Sequence, residues 1–353
     1  MATGSAPEVG VPHPFYWELQ PGRRYSWCAC GRSTRQPFCD GRSHLGTGHE
    51  PLVVTAGPAV EEVLFCGCKQ TSTPPYCDGA HNNLAGGYAA DDRSAAELAA
   101  LRPAARRADG TAHLDGACFA VAAAAGRPAA GWWVRMVIGP GLGALHQAQF
   151  YCALADQASP LLDSAGADTI LFVAGGQGLI EIGERTFPLG PLAGAYVRAG
   201  ETYRLRRQGA EPLSVYVSVC PLADRLALAA SAGPFDARFP DRVVGVDPAA
   251  RHGMGPRYFQ MLVDKRLGST TAAQFIGHIP PSRAKMHRHL YEEALIVVSG
   301  TGVLWNDESY APVGAGDVIF LPRKHRHSLE CVSADGMLVA GVIHPGDNPA
   351  INY

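Results

Sequence analysis

The chain has 353 residues, 47% of them apolar and 18% charged, with a formal net charge of −2. At roughly 100–200 residues per domain this length predicts two or three domains. A charge so near zero excludes a nucleic-acid or anionic-membrane partner, because no basic excess exists to release counterions.

The 41 glycines and 27 prolines spread along the chain predict a turn-rich, mostly β protein. No apolar stretch reaches the roughly 18 residues needed to span a bilayer. Met1 to Phe15 lacks the basic and apolar regions of a secretory leader. The expectation is a cytoplasmic protein without a membrane partner. In that compartment ten cysteines point to metal or redox chemistry before disulfides. Cys118, Cys152, Cys220 and Cys331 lie in apolar contexts and read as small buried hydrophobes. The bias toward arginine and alanine, with lysine only at 69, 265, 285 and 324, is a coding bias of a GC-rich bacterial genome.

In chain order, residues 1–85 form a block rich in Cys, Gly and Pro, too loop-rich to hold together without a staple. It repeats one plan. Cys28-Ala29-Cys30 is followed by Ser33, Cys39-Asp40-Gly41 and His44; Cys66-Gly67-Cys68 is followed by Thr71, Cys77-Asp78-Gly79 and His81. Three thiolates and an imidazole per copy make a complete four-ligand set, and Asp-Gly turns the chain so that the histidine folds back toward the third cysteine.

Both copies resemble CDGSH (NEET-type) iron–sulfur motifs. The resemblance implies two [2Fe–2S] clusters, one on Cys28, Cys30, Cys39 and His44 and one on Cys66, Cys68, Cys77 and His81. The first copy departs by one residue, its histidine standing five rather than four places after Cys39, with His49 as the alternative. A structural zinc site is the competing reading. Imidazole ligation raises a cluster's potential relative to all-cysteine ligation and couples it to protons, which suits one-electron transfer.

Residues 86–116 read as a linker with a short Ala-rich helix near 95–101. From about 117 onward, apolar β-type runs alternate with Gly/Pro turns, and the pattern occurs twice. Arg135-Met136-Val137-Ile138, Leu142-Gly143 and Ala148-Gln149-Phe150 return as Gln260-Met261-Leu262-Val263, Leu267-Gly268 and Ala273-Gln274-Phe275. Two copies of one all-β unit, 117–245 and 246–353, are the expectation.

The second unit carries His287-Arg288-His289 and, four residues on, Glu293. Downstream, Gly316 and Pro322 precede His327. In a strand His287 and His289 share a face, and the four donors suit Fe, Mn, Ni or Zn with open positions. This pattern resembles the two motifs of the cupin superfamily. The resemblance implies a double-stranded β-helix barrel with His287, His289, Glu293 and His327 as metal ligands. Glu292 is the rival carboxylate, and His325 reads as a bystander. In the first unit the equivalent positions fall near Asp163, Ala165, Thr169 and Tyr203, a set that predicts a metal-free, structural barrel.

Together the parts suggest a non-haem iron oxygenase or oxidase of a small molecule. The clusters, fed by an external reductase or ferredoxin, deliver electrons to the iron, and O₂ is the co-substrate. Tyr258, Gln274, His278, Arg283 and Trp305 are the expected pocket residues, with Arg283 as a carboxylate partner. The alternatives are a non-redox metal hydrolase, lyase or isomerase with structural or regulatory clusters, and a redox sensor without turnover. A homodimer is the default assembly.

Overall fold

The computed structural model describes residues 6–114, 118–124 and 129–353. It is mostly β, with one α-helix among the described residues, the single turn Ala95–Ala99, whose Ser94 and Glu97 exchange reciprocal capping bonds.

The front block is built from two ribbons. Phe15–Leu19 pairs with Glu61–Phe65, and Arg24–Trp27 pairs with Leu52–Thr55, both antiparallel. Each Cys-x-Cys loop therefore hangs from the end of a paired strand. The loops are closed identically: Cys28 N–H donates to Pro37 O and Cys66 N–H to Pro75 O, while Cys39 and Cys77 donate back to Ser26 O and Leu64 O. The small core holds Leu19, Tyr25, Trp27 and Phe65, with Cys66 and Cys68.

Each β unit is two sheets facing each other, with side chains alternating between the faces. In the first unit a six-stranded sheet centred on Asp168–Gly175 opposes a five-stranded one that includes Gln177–Ile182 and Thr202–Gln208. In the second unit the larger sheet has eight strands, centred on Met337–His344 and Glu292–Ser299, and the smaller has five. The large sheets of the two units pack back to back, burying Phe172, Tyr216, Ile276, Ile296, Val318 and Phe320 between them. Leu295 and Val297 point instead into the second barrel. With both faces covered, these strands read as unbroken apolar runs rather than alternating ones.

The expected boundaries shift. Thr111–Leu114 and Cys118–Ala122 form a hairpin that joins the second unit's large sheet along Asp317–Leu321. Arg102–Pro103 pairs in parallel with Ser309–Gly314 of its small sheet. Much of 86–116, read as a linker, and the start of the supposed first unit thus belong to the second barrel. The predicted boundary at 116/117 itself lies outside the described residues. The far end of the first unit holds as expected, because Val243–Val244 pairs with Gly194–Val197 of the same unit. Apolar periodicity identifies a strand but not its partner, which is why the sequence misplaces these segments.

Candidate functional site

In the front block, Cys28 Sγ and Cys30 Sγ lie 3.6 Å apart, and Cys66 Sγ and Cys68 Sγ 3.5 Å. His44 Nδ1 and His81 Nδ1 each stand 3.4 Å from the third cysteine of their motif, Cys39 and Cys77. His44, rather than His49, is brought to Cys39. The extra residue is taken up in the turn, where Asp40 accepts bonds from Arg42 N–H, Ser43 N–H and the Ser43 hydroxyl. Those donors hold the Asp40 carboxyl well below its usual range. Gly41 and Gly79 sit at φ +84° and +86°, a left-handed conformation that glycine adopts without a Cβ penalty.

Backbone N–H groups aim at the sulfurs, Gly41 at Cys39 and Lys69 at Cys66 among them. Such donors stabilise thiolate charge. The Cys66 thiol is drawn down to about 6, first by the bond it accepts from Cys68 and further by the Lys69 cation, against the opposing effect of burial. Lys69 is itself buried, donates to Cys66 O at 2.8 Å and lies 4.7 Å over the Trp27 ring. Its charge also acts on Cys28, so one cation serves both motifs. The described cysteines are all free thiols. This donor chemistry fits sulfide clusters.

In the second barrel His287, His289, Glu293 and His327 line one cavity of about 90 Å³. His287 N–H and His327 N–H each donate to the other's carbonyl at 3.0 Å, an isolated bridge that clamps the two segments together. The ring centroids of His287 and His289 lie 4.6 and 4.9 Å from that of His327. Each Nδ1 faces a backbone carbonyl: Lys285 O at 2.8 Å from His287, Tyr291 O at 2.6 Å from His289 and His325 O at 2.9 Å from His327. A ring whose Nδ1–H is so occupied presents its Nε2 lone pair to the cavity. Burial pushes His287 down to about 4 and His327 well below its ordinary value, so both stay neutral near pH 7.

His289 Nε2 makes no hydrogen bond although it is buried, and it stands 3.2 Å from Glu293 Oε2. A lone pair facing a carboxylate is repulsive unless a cation lies between, so these residues fit a metal ion. Among the described residues no three donors sit at the spacing of a formed coordination sphere; the fit rests on donor chemistry and orientation.

Glu292 turns the other way and accepts from Leu145, His146 and Gln147 N–H groups of the first unit. The matching cavity of the first barrel is lined by Asp163, Ala165, Thr169 and Tyr203, at the positions expected from the repeat.

Of the expected pocket residues, Tyr258 and His278 border the metal-donor cavity and stack on each other at 5.4 Å. Three others do not join it. Gln274 is buried beside Gly194 and Leu262, between the barrels, because Phe275 takes the inward position on that strand. Arg283 pairs with Asp91 at 3.0 Å and lies 3.7 Å from Glu330. The Trp305 indole N–H donates to that same Glu330 at 2.9 Å. Arg283 and Trp305 therefore tie residues 91–93 to the barrel wall, outside the lining of the metal-donor cavity.

The sequence reading missed Arg257, Tyr291 and Asn352. Tyr291 stacks on His289 at 3.9 Å with its hydroxyl donating to Pro349 O. Asn352 lines the metal-donor cavity and also a second cavity, of about 330 Å³, that contains His81. Its side chain hydrogen-bonds His81, and His287 lines that second cavity too. No motif marks Asn352, since only the fold brings residue 352 beside residue 81.

Comparison with known proteins agrees with parts of this picture. Residues 275–343 match the family described as "Cupin domain". Protein Ylba from E. coli superposes with a TM-score of 0.52 at 16% identity, covering 68% of this chain and 96% of that one. Oxalate decarboxylase from Lactobacillus farciminis gives 0.51 at 15% identity, over 67% and 87%. These likenesses show the fold of the barrels, which is cupin-like. The front block is similar to human "CDGSH iron-sulfur domain-containing protein 3, mitochondrial", 52% identical over 46 residues, 12% of this chain and 35% of that protein. The mouse protein of that name is 52% identical over 48 residues. The chain spans about a third of the length of these curated relatives.

Proposed function

We propose that the protein is a non-haem iron oxidoreductase acting with O₂ on a small molecule, and that its front block supplies the electrons. In this reading Cys28, Cys30, Cys39 and His44 hold one [2Fe–2S] cluster, Cys66, Cys68, Cys77 and His81 hold a second, and His287, His289, Glu293 and His327 hold the iron. The clusters contribute one-electron storage and the iron a Lewis-acidic, redox-active centre with open positions. The observation that carries the reading is the cavity that His81 and His287 both line, together with Asn352.

The chain's own residues do the rest. The Nδ1–carbonyl bonds fix three imidazoles in the ligating tautomer before any ion arrives. Phe259, Phe275, Leu295, Leu321 and Leu329 wall the cavity and exclude water, which strengthens every electrostatic interaction inside it. Asn352 holds the buried His81 ring in place through a side-chain hydrogen bond.

The first motif is the more open of the two: Cys39 and His44 are partly buried, whereas Cys77 and His81 are buried. An external donor therefore meets the first motif, and the second faces the barrel. To test this, the anaerobically isolated protein is reduced and pulsed with O₂ while the cluster absorbance is followed. Reoxidation is expected to slow at least tenfold in His287→Ala with the cluster spectrum intact. Equal rates in wild type and variant would remove the reading.

A further inference from the structure

We propose that the small molecule taken by the second barrel carries a carboxylate, and that Arg257 receives it. Naming this substrate class deepens the reading above and rests on it for the metal in the same cavity.

Arg257 opens the strand Arg257–Val263, and its side chain turns inward. It is 9% exposed, an unusual place for a guanidinium, since a buried charge is costly unless paired. Its terminal nitrogen donates to Leu329 O at 3.0 Å, while its Nε is buried without a partner. Its titratable neighbours are the Tyr88 phenol, the Cys331 thiol and the His287 imidazole, and the described ion pairs include none with Arg257.

Two further observations say what is missing. Arg257 lines both the cavity of the metal donors and the cavity of His81, so it stands at their junction beside His287. The Tyr88 hydroxyl at the same junction is also buried, with the guanidinium as its polar neighbour, and the ring lies 5.7 Å from the guanidinium. A buried guanidinium whose Nε has no partner and which has only a neutral phenol beside it calls for an oxygen-rich anion. The rest of the wall is apolar, from Met254, Phe259, Phe275, Ile279 and Val339. A planar carboxylate on an apolar body matches that lining. The guanidinium fork pairs with two coplanar oxygens, and desolvation makes each bond stronger than in water. The carboxylate is a handle: it positions the remainder of the molecule against the metal donors and undergoes no bond change itself.

The test is a calorimetric titration of the full-length, anaerobically isolated, iron-loaded protein. The probes are formate, butyrate and benzoate, the neutral butyramide and benzamide, and inorganic phosphate. At least one carboxylate is expected to bind tenfold or more tightly than its amide. Arg257→Gln is expected to abolish that preference, and Arg257→Lys to retain part of it, with iron content and cluster absorbance unchanged. Where Arg257→Gln fails to fold, Arg257→Lys and Tyr88→Phe carry the test through a smaller loss of preference.

The proposal is overturned if no carboxylate binds, if amides bind as well as acids, or if phosphate binds more tightly than every carboxylate. It is also overturned if the variants keep the wild-type preference, which would mean that the metal alone holds the anion. The titration does not read electron transfer. Intact Arg257-dependent binding beside an unaltered O₂ response would remove the oxidoreductase reading and leave this one standing.

Discussion

Three imidazoles in the second barrel owe their readiness to carbonyl oxygens two residues away in sequence. Burial, against the opposing effect of those bonds, also sets a pH dependence. A histidine depressed in the fold stays neutral where the unfolded chain takes up a proton, so unfolding binds protons and stability rises with pH. For His287 the contribution is complete above 6.5 and is lost as pH falls toward about 4; His327 shifts the same way. The metal-free protein is therefore expected to melt at steadily lower temperature from pH 7 to 4.5. His327→Gln should flatten the profile, and a flat wild-type profile would contradict the assignment.

Lys69 makes a second residue-scale prediction. A buried cation beside Cys66 and Cys28 favours the more negative, reduced form of nearby clusters. Lys69→Met is expected to lower their reduction potentials, as measured by spectroelectrochemical titration, and unchanged potentials would refute that role. Of these residues the His-x-His pair and the Cys-x-Cys pairs were legible, because each is a local pattern whose geometry follows from strand or turn. Arg257 was not, since a lone arginine at a strand start looks like any solvated one until the fold buries it.

Between elements, the two barrels hold each other by matched acids. Asp168 starts the strand Asp168–Gly175 and accepts from the Thr270 and Thr271 N–H groups, both at 3.1 Å, and from the Thr271 hydroxyl at 2.7 Å. Glu292 starts Glu292–Ser299 and accepts from Leu145, His146 and Gln147 N–H groups. In each case a buried carboxylate at a strand start anchors the loop after a short 3₁₀ turn of the other unit. Hydrogen bonds to a charged acceptor contribute roughly 1.5–3 kcal/mol each. Asp168→Asn and Glu292→Gln are each expected to cost about that much in denaturant unfolding, and a change below about 0.5 kcal/mol in both would show the clamps to be incidental. The sequence repeat announced two like units, and the strand runs announced their sheets. Sequence placed Glu292 as a rival ligand, because two adjacent carboxylates differ only in which face of the strand they occupy.

At the scale of the molecule, the front block is seated on the second barrel and not on the first among the contacts described. Tyr16 stacks on Tyr353 at 5.5 Å, and Arg323 meets Glu62 at 3.2 Å. Asn82 donates to Ala350 O at 2.8 Å, while Asn348 donates to Asp78 O at 2.9 Å. A Cβ on Gly79 would come within 2.7 Å of Ala350, so the second cluster loop is pressed against the segment 348–353. Tyr353→Ala combined with Asn82→Ala is expected to split calorimetric unfolding into two transitions. A single transition would show that the seat lies elsewhere. The domain inventory could be read from motifs, but this docking could not, because it joins residues more than 250 positions apart.

The exchanged hairpin 111–122 has a bearing on how the molecule comes into being. On the ribosome its edge emerges some two hundred residues ahead of Asp317–Leu321, the strand it completes, so it waits unpaired through synthesis of the whole first unit. A nascent chain arrested near residue 245 would carry that open edge, and with it a site for misassociation with its neighbours. For the same reason an excised piece beginning at residue 246 would be a barrel with staves missing, whereas a piece that retains 102–124 alongside it restores the closed sheet.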